Sequence, residues 1–499
     1  MLELELKLAV EGSFAPRLEP GRAGVAGIEE LAPLDLRATY YDTPDLRLAR
    51  HGITLRHRTG EGDHPRWTLK LPGESNGTTA RDELNFEGAA RDVPKEATDL
   101  ISAFVRSAPL APVARLRTRR RRWSLRGTEG EELAEVVDDR VSVLQRGRVV
   151  ERFREIEIEG RTLDRRGLER IAGVLSENGG AAVASVPKLV RALGERATSP
   201  PDVSAPKKLS PSDPASAAVR AAIARGVERM ITNDPHTRLG EVEALHQMRV
   251  GTRRLRSDLR TFRPLLDRDW ADGLREELRW LGEVLGNVRD LDVMRPRLEE
   301  AAGEEADDLV PLFKSLERDR NKARAELLAA LGSARYVDLV ERLVEAARSP
   351  VLLPAAKERC DRALPPLVAR SWRKLARAGR KLDEESADAD FHRVRVLAKR
   401  ARYGAEAIAP ALGAKRCEQA RKFAKCAADL QDALGELQDS VVARRTILET
   451  ARSHPENGVF NLAAGQLAER QAQGRAAARS GFPAVWDKLD RGKRRKWLK

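Results

Sequence analysis

The chain changes its hydrophobic period near the middle. In Leu2-Glu3-Leu4-Glu5-Leu6-Lys7-Leu8 a charge stands at every second position. The same alternation recurs in Thr54-Leu55-Arg56-His57-Arg58, Thr68-Leu69-Lys70-Leu71 and Glu155-Ile156-Glu157-Ile158-Glu159. Period two predicts strands, with all charges of a segment on one face. The turn-forming stretches Gly60-Glu61-Gly62-Asp63 and Gly127-Thr128-Glu129-Gly130 separate them. The first half, 1–197, therefore reads as an antiparallel β domain with a few helices. Residues 198–211 are rich in proline and poor in apolar side chains, and read as a linker. From Ser212-Asp213-Pro214, a helix-start signature, Ala/Leu/Arg/Glu segments of helical period run through 212–499. A second proline-rich break, Ser349-Pro350 to Pro365-Pro366, divides this half into stretches of about 212–349 and 350–490. The closing basic run, Arg491 to Lys499, reads as a frayed tail.

The helical half contains a repeat. His246-x-x-Arg249-Val250-x-x-Arg253-Arg254-x-Arg256 recurs as His392-x-x-Arg395-Val396-x-x-Lys399-Arg400-x-Arg402. Further on, Leu285-Gly286-x-Val288-x-Asp290 recurs as Leu434-Gly435-x-Leu437-x-Asp439. Two matched elements in the same order predict two related helical bundles. At about 100° per residue, His246, Arg249, Arg253, Arg256 and Arg260 share one helical face, with Leu245, Met248, Leu255, Leu259 and Phe262 opposite. In the second copy His392, Arg395, Lys399 and Arg402 form the stripe. Phe391, Val394, Ala401, Ala405 and Ile408 take its apolar side. Cations at i, i+3 and i+4 repel one another, and a purely structural helix would interleave Glu. The stripe spans roughly 15 Å of helix, enough for several phosphates in a row. Arg offers a fork of donors to phosphate oxygens, and His a donor that is tunable near neutral pH. A solvated basic face would explain one copy; two copies with one spacing point to binding of a long phosphate-rich polyanion.

Composition narrows the partner. The 499 residues carry a net charge of +14, so an acidic partner is expected. Only four Tyr and ten Phe are present, unclustered, which disfavours stacking on single-stranded nucleic acid. No helix-turn-helix pattern places a stripe for groove entry, so no specific nucleic-acid partner is expected. Cys360, Cys417 and Cys426 are odd in number and lack a CxxC pair, which supports neither a disulfide framework nor a zinc site. The N-terminus lacks the basic and apolar regions of a signal peptide. No apolar run reaches the roughly 18 residues of a membrane span. A cytoplasmic protein without membrane attachment is expected.

The charged strands suggest chemistry when taken together. Arg56, Arg58 and Lys70 supply cations, Glu155, Glu157 and Glu159 an acidic row, and Glu135 and Asp139 lie four apart on one side of a strand. Carboxylates hold Mg²⁺ or Mn²⁺ through oxygen, while Arg and Lys hold the phosphates that such a metal bridges. A closed barrel can point such faces inward. Phosphoryl transfer then needs positioning, charge neutralisation and an activated water. No Walker-A glycine loop is present, so side chains would grip the phosphate.

Both halves resemble known families. The duplicated His/Arg helix resembles the CHAD domain, the conserved-histidine α-helical domain, over about 212–499. The resemblance implies a pair of four-helix bundles and inorganic polyphosphate as ligand, bound by His246, Arg249, Arg253, Arg256, His392, Arg395, Lys399 and Arg402. The first half resembles the CYTH superfamily of triphosphate tunnel metalloenzymes. The match runs through Glu3-x-Glu5-x-Lys7, Tyr40-Tyr41-Asp42-Thr43-Pro44-Asp45-Leu46, Gly52-Ile53-x-Leu55-Arg56-x-Arg58, Trp67-Thr68-Leu69-Lys70 and Arg81-x-Glu83. It continues through Arg117-Thr118-x-Arg120-x-x-Trp123, Glu135-x-x-x-Asp139, Glu155-Ile156-Glu157 and Pro187-Lys188. It implies an eight-stranded antiparallel β tunnel, and thus an α+β multidomain chain. It implies metal ligands at Glu3, Glu5, Asp139, Glu155 and Glu157, with Mg²⁺ or Mn²⁺ as cofactor. It implies triphosphate ligands at Lys7, Arg56, Arg58, Lys70, Arg117 or Arg120, and Lys188, with Glu3, Glu5 and Lys7 at the catalytic centre. Arg119 to Arg122 is unbroken, so parity alone cannot say which arginine faces inward. Asp138 competes with Asp139, and Glu159 is either a further ligand or a solvated strand end.

The function expected is a metal-dependent inorganic triphosphatase, releasing diphosphate and phosphate, beside a polyphosphate-binding helical domain. Two alternatives use the same residues. One is a non-enzymatic protein that localises to polyphosphate granules. The other is a tunnel enzyme acting on an organic triphosphate, as an adenylate cyclase or a thiamine triphosphatase does.

Overall fold

In a computed structural model, the alternating segments pair into one sheet that closes on itself. The model describes residues 2–11, 13–62, 66–72, 81–177, 182–183, 186–206, 208–383 and 385–498. The side chains of residues 2, 3, 81, 182 and 183 also lie outside the description. The chain forms two compact units, residues 1–202 and 203–499.

The first unit contains β1 (Leu2–Ala9), β2 (Gly27–Asp42), β3 (Thr54–Thr59), β4 (Arg66–Pro72), β5 (Arg81–Glu87), β6 (Ala111–Arg126), β7 (Glu132–Gln145), β8 (Arg148–Gly160) and the two-residue β9 (Ala182–Val183). The order is β5-β4-β3-β2-β6-β7-β8-β1, and β1 pairs back onto β5 through Leu2↔Asp82 and Glu3↔Arg81. Eight antiparallel strands thus form a ring, with β9 an added pair on β1.

Register decides what faces inward, because residues opposite each other in neighbouring strands share a face. The row Lys7↔Glu157↔Val137↔Arg122 and the row Glu155↔Asp139↔Arg120↔Leu34 belong to the inner face. On the other side of the ring, Tyr40↔Arg56↔Thr68↔Asn85 does the same. The leucines and isoleucines of the alternating segments point outward instead. Leu8, Leu125, Val136, Ile156 and Ile158 are buried against Leu168, Ile171 and Leu175 of the helix Arg165–Glu177. Part of the apolar core therefore lies outside the barrel, and burying each such side chain is worth about 1.5–3 kcal/mol. One end of the interior is apolar. There Tyr40, Leu116, Val141 and Val143 pack on Leu189, from the short helix Lys188–Leu193 that enters the barrel end.

The proline-rich stretch is not free chain at its start. Arg50 donates from Nε to the Pro200 carbonyl at 2.7 Å. Asp202 pairs with His51 at 3.0 Å and with buried Arg106.

The second unit is helical. Its first stripe helix, Val242–Thr261, packs on Ala215–Thr232 and on the 35-residue helix Arg268–Ala302. Its second, Asp388–Ile408, packs on Pro365–Gly379 and on the 39-residue helix Ala414–Arg452, in the same order. The helix Gly458–Asp490 completes the second bundle. The chain end is folded, against the expectation of a frayed tail. Gly492–Leu498 forms a 3₁₀ turn, and Trp497 is buried with its ring 5.7 Å from that of Phe423. One large aromatic outweighs the repulsion among the basic residues around it. Arg495 lies over the Trp372 ring at 5.1 Å.

Candidate functional site

The inner face of the barrel gathers most of the predicted tunnel residues. Lys7 of β1 lies 2.7 Å from Glu5 and also pairs with Glu157. Lys188, carried in by the short helix at the barrel end, places Nζ 2.5 Å from Asp139, 3.0 Å from Glu157 and 3.2 Å from Glu155. Arg120 donates to both oxygens of Asp139, at 2.8 and 2.7 Å, and to Glu157 at 3.0 Å. Across the interior, Lys70 pairs with Glu83 at 2.6 Å, and Arg56 stands opposite Tyr40. The backbone of Glu3 lies in β1, while its side chain falls outside the described ones.

Two open questions of the sequence are answered by register. No bulge interrupts β6 against β7 between Arg117 and Arg120, so parity holds. Arg120 and Arg122 face inward, and Arg117 faces outward, where it pairs with exposed Asp35 at 2.5 Å. The geometry thus removes Arg117 from the tunnel lining. Asp138 also faces outward and is taken by Arg154 at 2.7 Å. Glu159 lies on the inner face, 3.8 Å from Arg120 and 3.9 Å from Arg161.

The electrostatics divide the lining in two. On the acidic side, burial pushes Glu5 and Glu155 above the ordinary carboxylate range, and the charge of Glu157 adds to both shifts. Burial opposes ionisation of Glu157 and Asp139 too, but Lys188 and Arg120 hold both below that range. On the basic side, burial and then Arg56 lower Arg58 to about 10. Glu83 falls to about 2 against its own burial, through Lys70 and Arg56. The buried carboxylate of Glu155 has only the ion pairs with Lys188 and Arg191 and no well-aligned hydrogen bond, and Nε of Arg56 and Nε of Arg58 are buried without an acceptor. A buried polar group left unmade costs about 1–3 kcal/mol. These orphans mark where a cation and an anion would be satisfied. A set of carboxylate oxygens is the donor chemistry of Mg²⁺ or Mn²⁺, so the residues present fit such an ion.

Sequence reasoning missed three contributors. Glu83 is the counter-charge of Lys70, and its place on alternating β5 could have disclosed it. Glu61 pairs with Arg58 from a turn. Arg191 lies one helical turn beyond Lys188, 3.7 Å from Glu155 and over the Phe153 ring at 4.5 Å.

In the helical unit the two stripes converge in part. Lys399 of the second copy feels Arg395 of its own helix and Arg253 and Arg249 of the first. Burial and this crowd of cations lower it to about 8. Nε of Arg249, Arg253 and Arg395 is buried without a hydrogen bond. His246 is lowered by burial and then by Arg289. His392 contacts Gln438 at 3.0 Å. Arg249 and Arg395 lie against the repeated glycines at ordinary contact distance. A Cβ at Gly286 would lie 3.6 Å from Arg249 Nε, and one at Gly435 3.5 Å from Arg395 Nη2. Each guanidinium packs across the smallest possible helix surface. Two predicted residues stand apart. Arg402 is tied to Glu406 at 2.8 Å. Arg256 joins Arg260, Arg275 and Arg400 in a second basic cluster. That cluster opens into a 510 Å³ hollow whose lining includes Arg260, Arg263, Arg370, Lys374 and Arg400. The spacing of Arg370, Arg373, Lys374 and Arg377 carried the signal for it. Among the described residues, no helix is long and apolar enough to cross a membrane.

Comparison with known proteins agrees with this division. The CYTH domain model matches residues 1–192 and the CHAD domain model residues 221–448. An uncharacterized protein of Mycobacterium tuberculosis is 33% identical over 531 aligned positions, covering 99% of this chain and 97% of that one. Among solved structures, the CHAD domain of the plant Ricinus communis is 27% identical, with a TM-score of 0.47, over 57% of this chain and 95% of that one. PptA from Streptomyces chartreusis is 24% identical, with a TM-score of 0.47, over 55% of this chain and all of that one. CYTH tunnel domains bind triphosphate substrates and depend on divalent metal. With a β ring of inward charges followed by a duplicated helical unit, and a relative matched from end to end, the chain belongs to the CYTH–CHAD family of two-domain proteins.

Proposed function

We propose that the first unit is a metal-dependent inorganic triphosphatase and that the second binds polyphosphate. The observation that carries the reading is the two-sided lining of the barrel. Buried carboxylates, with Glu155 held by ion pairs to Lys188 and Arg191, stand against buried cations, with Nε of Arg56 and of Arg58 lacking an acceptor. Glu5, Asp139, Glu155 and Glu157, with Glu3 from the same strand as Glu5, are the residues to hold Mg²⁺ or Mn²⁺. Bound there, the ion supplies charge neutralisation at the terminal phosphate and an activated water. The protein's own cations do the rest. Lys7 and Lys188, here paired with those carboxylates, would hold phosphate oxygens when the carboxylates hold a metal. Arg56, Arg58, Lys70 and Arg120 hold the remaining phosphates in line. Every strongly charged side chain of the interior then finds a partner, which offsets a desolvation cost of several kcal/mol per buried ion. Among the described residues the barrel lining is made for phosphate charge, and inorganic triphosphate is the simplest ligand that such a lining holds.

The stripes support the second half of the reading. Four cations from two helices, Arg249, Arg253, Arg395 and Lys399, converge with little counter-charge, of which Asp290 and Asp439 are the nearest. A phosphate polymer supplies that charge.

Purified protein with Mg²⁺ or Mn²⁺ should release phosphate from triphosphate, and Glu5→Gln should reduce this at least 100-fold. No release with any divalent metal would end the enzyme assignment. Long-chain polyphosphate should bind with salt-dependent affinity, weakened by Arg253→Ala with Lys399→Ala. Unchanged affinity would leave the stripe a solvated face.

A further inference from the structure

The outer face of the barrel wall carries a second set of cations, separate from the tunnel. Arg115, Arg117, Arg119 and Arg121 of β6 all point outward. Towards one end of the strand the outward arginine is neutralised. Arg121 pairs with Glu30 at 2.8 Å. Towards the other end several of the residues opposite are themselves basic, although Asp35 stands opposite Arg119 and Arg154 is held by Asp138 at 2.7 Å. Arg37 lies opposite Arg117, and Arg119 opposite Arg140. Arg140 lies opposite Arg154 in turn. Exposed Asp35 is the carboxylate among them, and Arg117 takes it at 2.5 Å. Arg37, Arg115, Arg119, Arg140 and Arg152 are exposed and have no ion pair among the described residues.

Like charges directly opposite in a sheet are destabilising. At the neutralised end β2 supplies Glu30, whereas here it supplies Arg37 opposite Arg117, with Asp35 opposite Arg119 as its carboxylate. The unpaired arginines line a hollow of 1080 Å³, with Thr39 and Ser142 among them. Along a strand they recur every second residue, about 6.8 Å, and across strands at about 4.8 Å. The result is a two-dimensional lattice of guanidinium forks, each suited to phosphate oxygens.

We infer that this outer face binds the body of a linear inorganic polyphosphate chain, at a site distinct from the tunnel and from the helical stripes. A polymer with one charge per phosphate supplies the missing negative charge at every fork. A single-stranded nucleic acid would also bring phosphates, but it needs exposed aromatic rings for its bases. Phe153, the aromatic residue along the hollow, has the inward parity of Glu155 and lies under Arg191, so it offers no ring on this face. The inference goes beyond the triphosphatase reading, and its test does not require turnover.

The experiment is a two-by-two set in the full-length chain. The lattice variant carries Arg119→Ser, Arg140→Ser and Arg152→Ser, and the stripe variant Arg253→Ser and Lys399→Ser. Binding of fluorescently labelled long-chain polyphosphate is measured from 50 to 300 mM salt. The lattice variant should bind about tenfold more weakly in either background, and its salt slope should fall by about 2, the value for three lost phosphate contacts. Its melting temperature should be no lower than the parent's, since like-charge repulsion has been removed, and a lysine-for-arginine triple should keep most of the slope. Parental affinity and slope for the lattice variant in both backgrounds would overturn the inference. Displacement of bound polyphosphate by single-stranded or duplex DNA at equal phosphate concentration would overturn the choice of ligand. If the stripe variant binds like the parent while the lattice variant does not, the polyphosphate reading of the helical unit fails and this inference stands.

Discussion

Arg120 holds Asp139 in a two-pronged grip, Nε to Oδ1 at 2.8 Å and Nη2 to Oδ2 at 2.7 Å, with both side chains buried. The same fork is the one arginine offers to phosphate. Asp139 would be among the residues that hold a divalent metal, and Arg120, released from Asp139, would then offer its fork to triphosphate. Metal and triphosphate should therefore raise each other's affinity by about fivefold or more, equally in both directions. Calorimetry with a slowly hydrolysed triphosphate analogue, with and without Mg²⁺, reads this. Independent affinities would remove the exchange from the mechanism.

Strand parity separates neighbouring arginines. Arg120→Ala should lower kcat/KM for triphosphate at least 100-fold, about 2.7 kcal/mol of transition-state stabilisation. Arg121→Ala, which loses an exposed pair with Glu30 and a contact with the Trp123 ring on the outer face, should stay within twofold. Equal losses in the two variants would mean that the register of β6 is shifted.

Lys399 is lowered to about 8 by burial and by Arg395, Arg253 and Arg249. Polyphosphate affinity should be level to pH 7 and fall as the pH rises through about 8. Lys399→Arg should remain charged and move that fall upward. A pH titration of binding reports both, and identical profiles for the two proteins would exclude Lys399 as the titrating group.

Asp258, buried in the first stripe helix near Arg254 and Arg225, is pushed up to about 8 by burial. Its folded-state value lies above the unfolded one. Its contribution to stability is thus fully present below about pH 4 and is lost as the pH rises through about 8. The melting temperature should decline from pH 5 to pH 8, and Asp258→Asn should flatten that decline. A decline of the same steepness in the variant would place the loss elsewhere.

Trp497 anchors the chain end against Phe423. Trp497→Ala should cost about 3 kcal/mol, the usual price of emptying a buried indole site. Denaturant unfolding followed through the helical unit measures it. A change below about 0.5 kcal/mol would restore the frayed tail.

The alternation at Glu3 to Lys7 and at Glu155 to Glu159 was legible because side chains on a strand change face at every residue, whatever they later pack against. The same logic failed at Arg119 to Arg122, where both faces carry arginine and periodicity has no contrast. Only the pairing partner tells them apart: Asp139 for Arg120, Glu30 for Arg121. The repeat of His246 and His392 was plain, but the meeting of Lys399 with Arg253 was not, because it depends on how helices nearly 150 residues apart cross. The tail misled because its many charges hid one tryptophan. Glu83 stood beside Arg81 in a recognised motif, and only the β4–β5 register shows that it neutralises Lys70.

The β ring is built inside out, with ionic side chains within and much of its oil without. Leu8, Val136, Ile156 and Ile158 lock to an external helix, while Lys7, Asp139, Glu155 and Glu157 share no packing duty with them. The parts that hold the fold up and the parts that meet a ligand are thus different residues of the same strands, alternating one by one. Substitutions in the lining can retune which polyanion is accepted while leaving the scaffold's hydrophobic contacts intact, so specificity in such a barrel is free to drift faster than its shape.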